Sequence, residues 1–388
     1  MKLRVILIAS VMVGTLVGVT AWRMSNASPV ENLTVAGPTS PEPEPIVEAQ
    51  EAERSPTTST STPARVAYVV SRPGTALHLS PDETGTPIAG GVVFPVLGEL
   101  AGGYRILDPC NTEGWVRASD VEEGLVTEAP ANGDFARSVF VIDPGHGLPD
   151  LGALGPGGLS ETEVNLDVAA RVVELLRTPH DIDWVTGSLR PGNSVPAAAT
   201  AILTRGPEGP NGGDYQLGLT FRATVANAVG ATAFVSIHHN TSPEVTLDHP
   251  GSEAFVSLSK PESPRLGGLI VEELRTSLAR FGSDWTGSRG TGLISRVNPD
   301  GSDYYTLLNR AEVPAVIVEG AYISNPAEEA LAQTDDFRQA YAEAVYRALV
   351  RFVTTDDDPI PHPEPTLWDV DRPGPSMAGC EVPPAESP

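Results

Sequence analysis

Val139-Phe140-Val141-Ile142-Asp143-Pro144-Gly145-His146-Gly147 is the stretch that decides how this chain is read. Val139 to Ile142 is a short apolar strand. Pro144 and Gly145 end it in a turn, and the glycines flanking His146 allow a sharp bend and close approach of another molecule. Two later apolar strands also run straight into polar residues. Phe234-Val235-Ser236-Ile237 leads to His238-His239-Asn240, and Val316-Ile317-Val318 leads to Glu319. In open α/β sheets the ligand crevice lies beyond the carboxyl ends of the strands, so residues this far apart in sequence are expected to converge.

Outward from that stretch, strands alternate with helices from residue 137 to residue 353, which predicts an α/β domain with a mixed, mostly parallel sheet flanked by helices. Ser160 with Glu163 three residues on reads as a capping box. Val164, Val168, Val172 and Leu176 then form one apolar stripe at helical spacing. Ala201 to Leu203 reads as a strand, and Leu219 to Val229 as a helix stopped by Gly230. Ala233 to Ile237 is a strand again. A longer helix follows, with Pro264 in its first turn and Gly282 past its end. Pro314 to Val318 is a strand and Asp336 to Val353 a closing helix. The stretch from Trp184 to Thr200, rich in Gly, Pro and Ala, reads as a surface loop.

Upstream, residues 65–125 hold short β-runs broken by Gly, Pro and Asp turns, the pattern of a small all-β barrel. The segment from Ser28 to Ala64 carries six Glu against one Arg, and that from Thr354 onward eight acids against one Arg. Both are rich in Pro, Ser and Thr and poor in large apolar residues. Residues 28–64 therefore read as a flexible linker and 354–388 as a flexible acidic tail. Residues 1–27 carry Lys2 and Arg4, an apolar run from Val5 to Trp22, and Ser25-Asn26-Ala27 as a cleavage site. A cleaved signal peptide and a retained membrane anchor are both open, and either directs the body of the chain to be exported. The net charge of -25 over 388 residues argues against nucleic acid or an anionic membrane surface as partner. Only Cys110 and Cys380 are present. In an oxidising compartment they either form one disulfide or stay as two thiols.

With no cysteine pair at ligand spacing, a metal here must be held by His and carboxylates. Two imidazoles and one carboxylate suit zinc and leave a position for water, whose pKa falls to about 7 on binding. A further carboxylate outside the ligand set would take the water proton and pass it to a leaving amine. Other readings exist for each residue. His146 alone could be a turn histidine, and Glu161 an acid favoured at a helix start. His238 and His239 point to opposite faces of a strand, so only one should reach a metal. Glu319 could pair with Arg222. Asp143 reads as a residue that orients the turn or a ligand.

In order, four blocks resemble the zinc-dependent N-acetylmuramoyl-L-alanine amidases. The first is Val141 to Gly147 followed by Gly158-Leu159-Ser160-Glu161-Thr162-Glu163-Val164-Asn165-Leu166. Leu203-Thr204-Arg205 with Arg222 through Ala226-Asn227 come next, then Ser236 to Asn240. Pro314 to Glu319 with Tyr322-Ile323-Ser324-Asn325-Pro326 is the last. The resemblance implies hydrolysis of the amide between N-acetylmuramic acid and L-alanine in peptidoglycan during cell-wall remodelling. Carried over by position, His146, Glu161 and His238 are the Zn2+ ligands and Glu319 the general base.

Leu148, Thr162, His239 and Ala321 depart from the family pattern, which bears on pocket shape and substrate preference. They also keep open a catalytically silent peptidoglycan-binding or regulatory protein. The stretch between Asn240 and Glu253 is too short for a long inhibitory helix, and an activating partner is left open. The 65–125 segment resembles a bacterial Src-homology-3-like module through Thr75-Ala76-Leu77-His78-Leu79, Thr86-Pro87-Ile88, and Glu113-Gly114-Trp115-Val116 before Ala118-Ser119-Asp120-Val121. That resemblance implies wall binding or a spacing role.

Overall fold

The computed structural model describes residues 65–126, 133–206, 217–242, 251–282, 285, 291–359, 364–367 and 382. The expected signal or anchor and the expected linker lie outside these residues. Among the described residues no helix is long and apolar enough to cross a membrane.

The N-terminal part is β-rich. Its strands are β1 (Arg65–Ser71), β2 (Ala76–Leu77), β3 (Thr86–Pro87), β4 (Val93–Leu100), β5 (Gly103–Leu107), β6 (Glu113–Arg117) and β7 (Val121–Val126). Five of them form an antiparallel sheet in the order β6-β5-β4-β1-β7, and β2 pairs with β3. Val69, Phe94, Ile106, Val116 and Val121 build its small core. The expected barrel is not closed. β6 and β7 are the two edges of an open sheet, and no ladder joins them among the described residues.

The remainder is a mixed α/β domain. Its elements are β8 (Val139–Pro144), α1 (Glu161–Arg177), β9 (His180–Ile182), β10 (Leu189–Pro191), β11 (Thr200–Leu203), α2 (Leu219–Val229), β12 (Ala233–Asn240) and β13 (Glu253–Val256). α3 (Glu262–Leu278), β14 (Leu293–Val297), α4 (Thr306–Arg310), β15 (Ala315–Tyr322), α5 (Pro326–Ala332), α6 (Asp335–Thr354) and β16 (Glu364–Leu367) follow. The sheet order is β11-β8-β12-β15-β13-β14-β16, and every neighbouring pair is parallel except β15 with β13.

Strand alternation divides the buried residues between two faces. Phe140, Ile142, Val235, Ile237, Val316 and Val318 join Val164, Val168, Val172 and Leu176 of α1 in the core shared with α3 and α6. Val139, Val141, Phe234 and Ile317 turn to the other face, against Phe221, Val225 and Val229 of α2. Ala67 and Leu107 of the β-rich part belong to that second core. The two parts of the chain therefore meet in apolar contact.

Three local expectations are corrected. The Ser160 side chain makes no capping bond to α1. Instead the first-turn amides of Glu161 and Thr162 donate to the carbonyls of Ala153 and Leu151, at 2.9 and 3.2 Å. The stretch read as a loop from Trp184 onward contains β10, which pairs with β9 as a hairpin. Glu364–Leu367, within the segment read as a flexible tail, extends the sheet as β16 beside β14. Cys110 is disulfide-bonded, and Cys380, the other cysteine of the chain, lies outside the described residues.

α3 and α6 are joined by a buried ion pair, Arg347 Nε to Glu273 Oε2 at 2.8 Å, with Arg351 on the other oxygen at 3.0 Å. Removing one partner of such a pair leaves an uncompensated buried charge, which costs several kcal/mol. Glu273→Ala should lower the unfolding free energy by about 3 kcal/mol in urea titration. A change below about 1 kcal/mol would mean that Arg347 is adequately solvated without its partner.

Candidate active site

The three polar strand ends lie on adjacent parallel strands, β8-β12-β15, so they open at the same edge of the sheet. The registers place Ile237 opposite Pro144, and His238 opposite Glu319. The Gly145 amide donates to the Ile237 carbonyl at 2.8 Å, carrying the pairing one step past the strand.

The turn after β8 is held from below by two buried guanidinium groups. Arg222 of α2 donates to Asp143 Oδ1 at 2.7 Å, to the Pro144 carbonyl at 2.8 Å and to the His146 carbonyl. Arg205 donates to the carbonyls of Pro144 (2.9 Å), Gly145 (2.7 Å) and Thr162 (3.0 Å), which fastens the turn to the start of α1. Asp143 has no exposed surface, and besides Arg222 it accepts from Ser236 Oγ at 2.6 Å and from Thr204 Oγ1. Arg222 is thus the partner of Asp143, and the alternative pairing with Glu319 is not made.

His146 has a φ of 64°, a left-handed conformation that a side chain adopts only when its surroundings hold it there. A Cβ at Gly145 would sit 2.1 Å from the His238 ring, so only glycine lets the turn pass under that imidazole. The two rings lie nearly perpendicular with centroids 5.1 Å apart.

Glu161 bridges them. Its Oε2 is 3.1 Å from His146 Nε2, and its Oε1 is 2.9 Å from His238 Nδ1. The carboxylate is buried and also accepts from the amides of Ala153 (2.8 Å) and His239 (3.2 Å). Burial alone would raise its pKa, but the bonds to both imidazoles outweigh this and hold it well below the usual carboxylate range. The far nitrogen of His146, Nδ1, meets Asp150 Oδ2 at 2.8 Å. Burial pulls the His146 pKa down, yet the bonds to Asp150 and Glu161 prevail and carry it up to about 10. Two carboxylates around one imidazole make a pocket that favours a cation.

One ligand atom from each of His146, Glu161 and His238 falls within 4.8 Å of the others, which is compact enough to hold a single metal ion. His239 stands apart. Its Nδ1 meets Asn165 Oδ1 at 2.9 Å, its ring packs edge-on to Tyr341, and burial lowers its pKa to about 3. Glu319 is half-buried, and its Oε2 has no hydrogen-bond partner. Burial, then the neighbouring carboxylates Glu161 and Glu253, push its pKa well above the ordinary range. Glu253 reaches this position from β13, where it lies opposite Glu319 in the antiparallel register.

The group opens into a cleft of about 690 Å³ that is also lined by Asn298, Tyr304 and Tyr305. Sequence reasoning assigned no role to Asp150, Arg205, Glu253 or Tyr305. A carboxylate four residues after a turn histidine was the available signal for Asp150. The others reach the site only through tertiary folding.

The chain is similar to known proteins over somewhat more than half of its length. The chain is 27% identical to the germination-specific N-acetylmuramoyl-L-alanine amidase of Bacillus subtilis over 229 residues, which is 57% of this chain and 82% of that protein. It is 29% identical to the N-acetylmuramoyl-L-alanine amidase Rv3717 of Mycobacterium tuberculosis over 236 residues, 58% of this chain and 90% of the relative. Among solved structures, the amidase AmiC2 of Nostoc punctiforme aligns at 25% identity and a TM-score of 0.42, covering 55% of this chain and 96% of that one. The model of one family matches residues 140–351, more than half of the sequence, and the chain belongs to that family, the N-acetylmuramoyl-L-alanine amidases.

Proposed function

We propose that this protein hydrolyses the amide between N-acetylmuramic acid and L-alanine in peptidoglycan, using a zinc ion held by His146, Glu161 and His238 and Glu319 as general base. The observation that carries the reading is the meeting of two imidazoles and one buried carboxylate at the strand ends, with Glu319 lining the same cleft.

The donor set fits zinc. Ligand atoms on a tetrahedral zinc with bonds of about 2.0–2.1 Å are separated by roughly 3.3 Å. One ligand atom from each residue lies within 4.8 Å of the others, so a small inward shift would close the three on one ion. Asp150 on the outer nitrogen of His146 supplies the carboxylate that commonly orients a ligating histidine. When bound, zinc supplies a polarised water at neutral pH and a Lewis acid for a carbonyl oxygen.

The protein's own groups do the rest. Asp150 fixes the His146 ring, and Arg222 and Arg205 fix the turn that carries it. Glu319 takes the proton of the attacking water and returns it to the leaving amine nitrogen, which departs as the amino group of L-alanine. We further propose that residues 1–27 direct export, that 65–125 is a Src-homology-3-like domain, and that 137–353 is the catalytic domain.

Muropeptides incubated with the purified protein should yield a free stem peptide beginning with L-alanine. Cleavage inside the peptide, or no product from the zinc-loaded protein, would sink the proposal. Glu319→Ala should reduce turnover by about 10³-fold while zinc content by atomic absorption stays at the wild-type level. Retained turnover would remove Glu319 from its role as base. Asp150→Asn should weaken metal binding by roughly 10- to 100-fold in chelator competition. Unchanged affinity would show that Asp150 does not tune the ligand.

A further inference from the structure

We infer that the β-rich N-terminal part is a built-in positioning element of the active site, acting through the N-terminus of α2. The inference rests on the His146 cluster being the working site. A helix leaves its first amides without internal partners, and the residue preceding it normally supplies a side-chain oxygen. For α2 that residue is Gly218, which has none to offer.

The cap comes from elsewhere in the chain. Asn111, in the turn between β5 and β6, places its Oδ1 2.7 Å from the amide of Phe221, the third residue of α2. The neighbouring Pro109 carbonyl accepts from the Gly218 amide at 2.7 Å. Two amides at the start of the helix are thus satisfied by one turn of the β-rich part.

Both sides of this contact are shaped for it. Asn111 has a φ of 64°, a conformation that asparagine tolerates better than most residues. A Cβ at Gly218 would lie 2.2 Å from Asn111 Oδ1, so the missing side chain leaves the space the cap occupies. The turn is tied internally, with Asp108 Oδ1 accepting from the amides of Cys110 and Thr112, each at 2.8 Å.

Directly after the capped amide comes Arg222, which holds Asp143, Pro144 and the His146 carbonyl. Leu217 and Leu219, on either side of Gly218, line the cleft. The path from Asn111 to the His146 turn therefore crosses a single helical turn. Small displacements of a catalytic group cost a large factor in rate, so the position of this turn matters to the chemistry.

The test compares Asn111→Ala, Asn111→Asp and Gly218→Ala in the full chain. Amide hydrogen exchange on metal-free protein reads the site without depending on turnover or on the identity of the substrate. Loss of the cap should speed exchange about fivefold at the Gly145 and Gly147 amides as well as at the start of α2, judging by the usual worth of a helix cap. Gly218→Ala, which displaces the asparagine, should do the same, while Asn111→Asp keeps the acceptor and stays near wild type.

In muropeptide turnover the first two variants should lose kcat about fivefold with KM unchanged. Faster exchange confined to residues 219–222, with Gly145, Gly147 and kcat at wild-type values, would reduce the contact to local helix stability and overturn the inference. So would an Asn111→Asp variant as impaired as Asn111→Ala.

Discussion

Asp143, one residue before the end of β8, is a carboxylate with no exposed surface, and it holds a guanidinium and two hydroxyl groups around itself. A buried charge of this kind is tolerated only when its partners are fixed. Each partner belongs to a different part of the domain. Thr204 follows β11, Ser236 lies on β12, and Arg222 lies on α2. Satisfying one aspartate therefore sets the spacing of the central strands and the placement of α2. The same guanidinium then reaches past Asp143 to the backbone of the turn, so the His146 conformation follows from the electrostatics beneath it.

Above that foundation the site is organised by competition among acids. Two imidazoles and two backbone amides face Glu161, and the bonds to the imidazoles hold its pKa down. Glu319, in the same cleft, is pushed the other way by burial and by Glu161 and Glu253. Neighbouring carboxylates with environments that drive them apart in acidity can divide the labour of ligand and proton carrier.

The strand ends were legible because β8, β12 and β15 are apolar runs that stop abruptly at a polar residue, and central parallel strands have no reason to alternate. The α1 stripe and Gly230, with its φ of 61°, are equally local signals. What escaped reading depends on distant partners. β13 (Glu253-Ala254-Phe255-Val256) begins with an acid, and it is buried throughout only because β15 and β14 enclose it. The Ser160 side chain makes no capping bond, and carbonyls of the 151–153 loop serve the first two helix amides. Glu364–Leu367 contains a proline, a poor strand former, yet it extends the sheet at its edge, where proline is tolerated. In the site, the histidines and Glu319 could be picked from the sequence. The resemblance already pointed to Glu161 and to His238 over His239, whereas Asp150 needed the turn geometry.

The apolar seam between the β-rich part and the catalytic domain limits how this chain can be recombined. Ala67 and Leu107 share a core with Val139, Val141 and Phe221. Accessory domains on flexible tethers can be exchanged like cassettes, because nothing apolar is uncovered when they leave. Here a transplanted catalytic domain would carry an exposed greasy face and a helix without its cap, and would need both rebuilt to remain soluble.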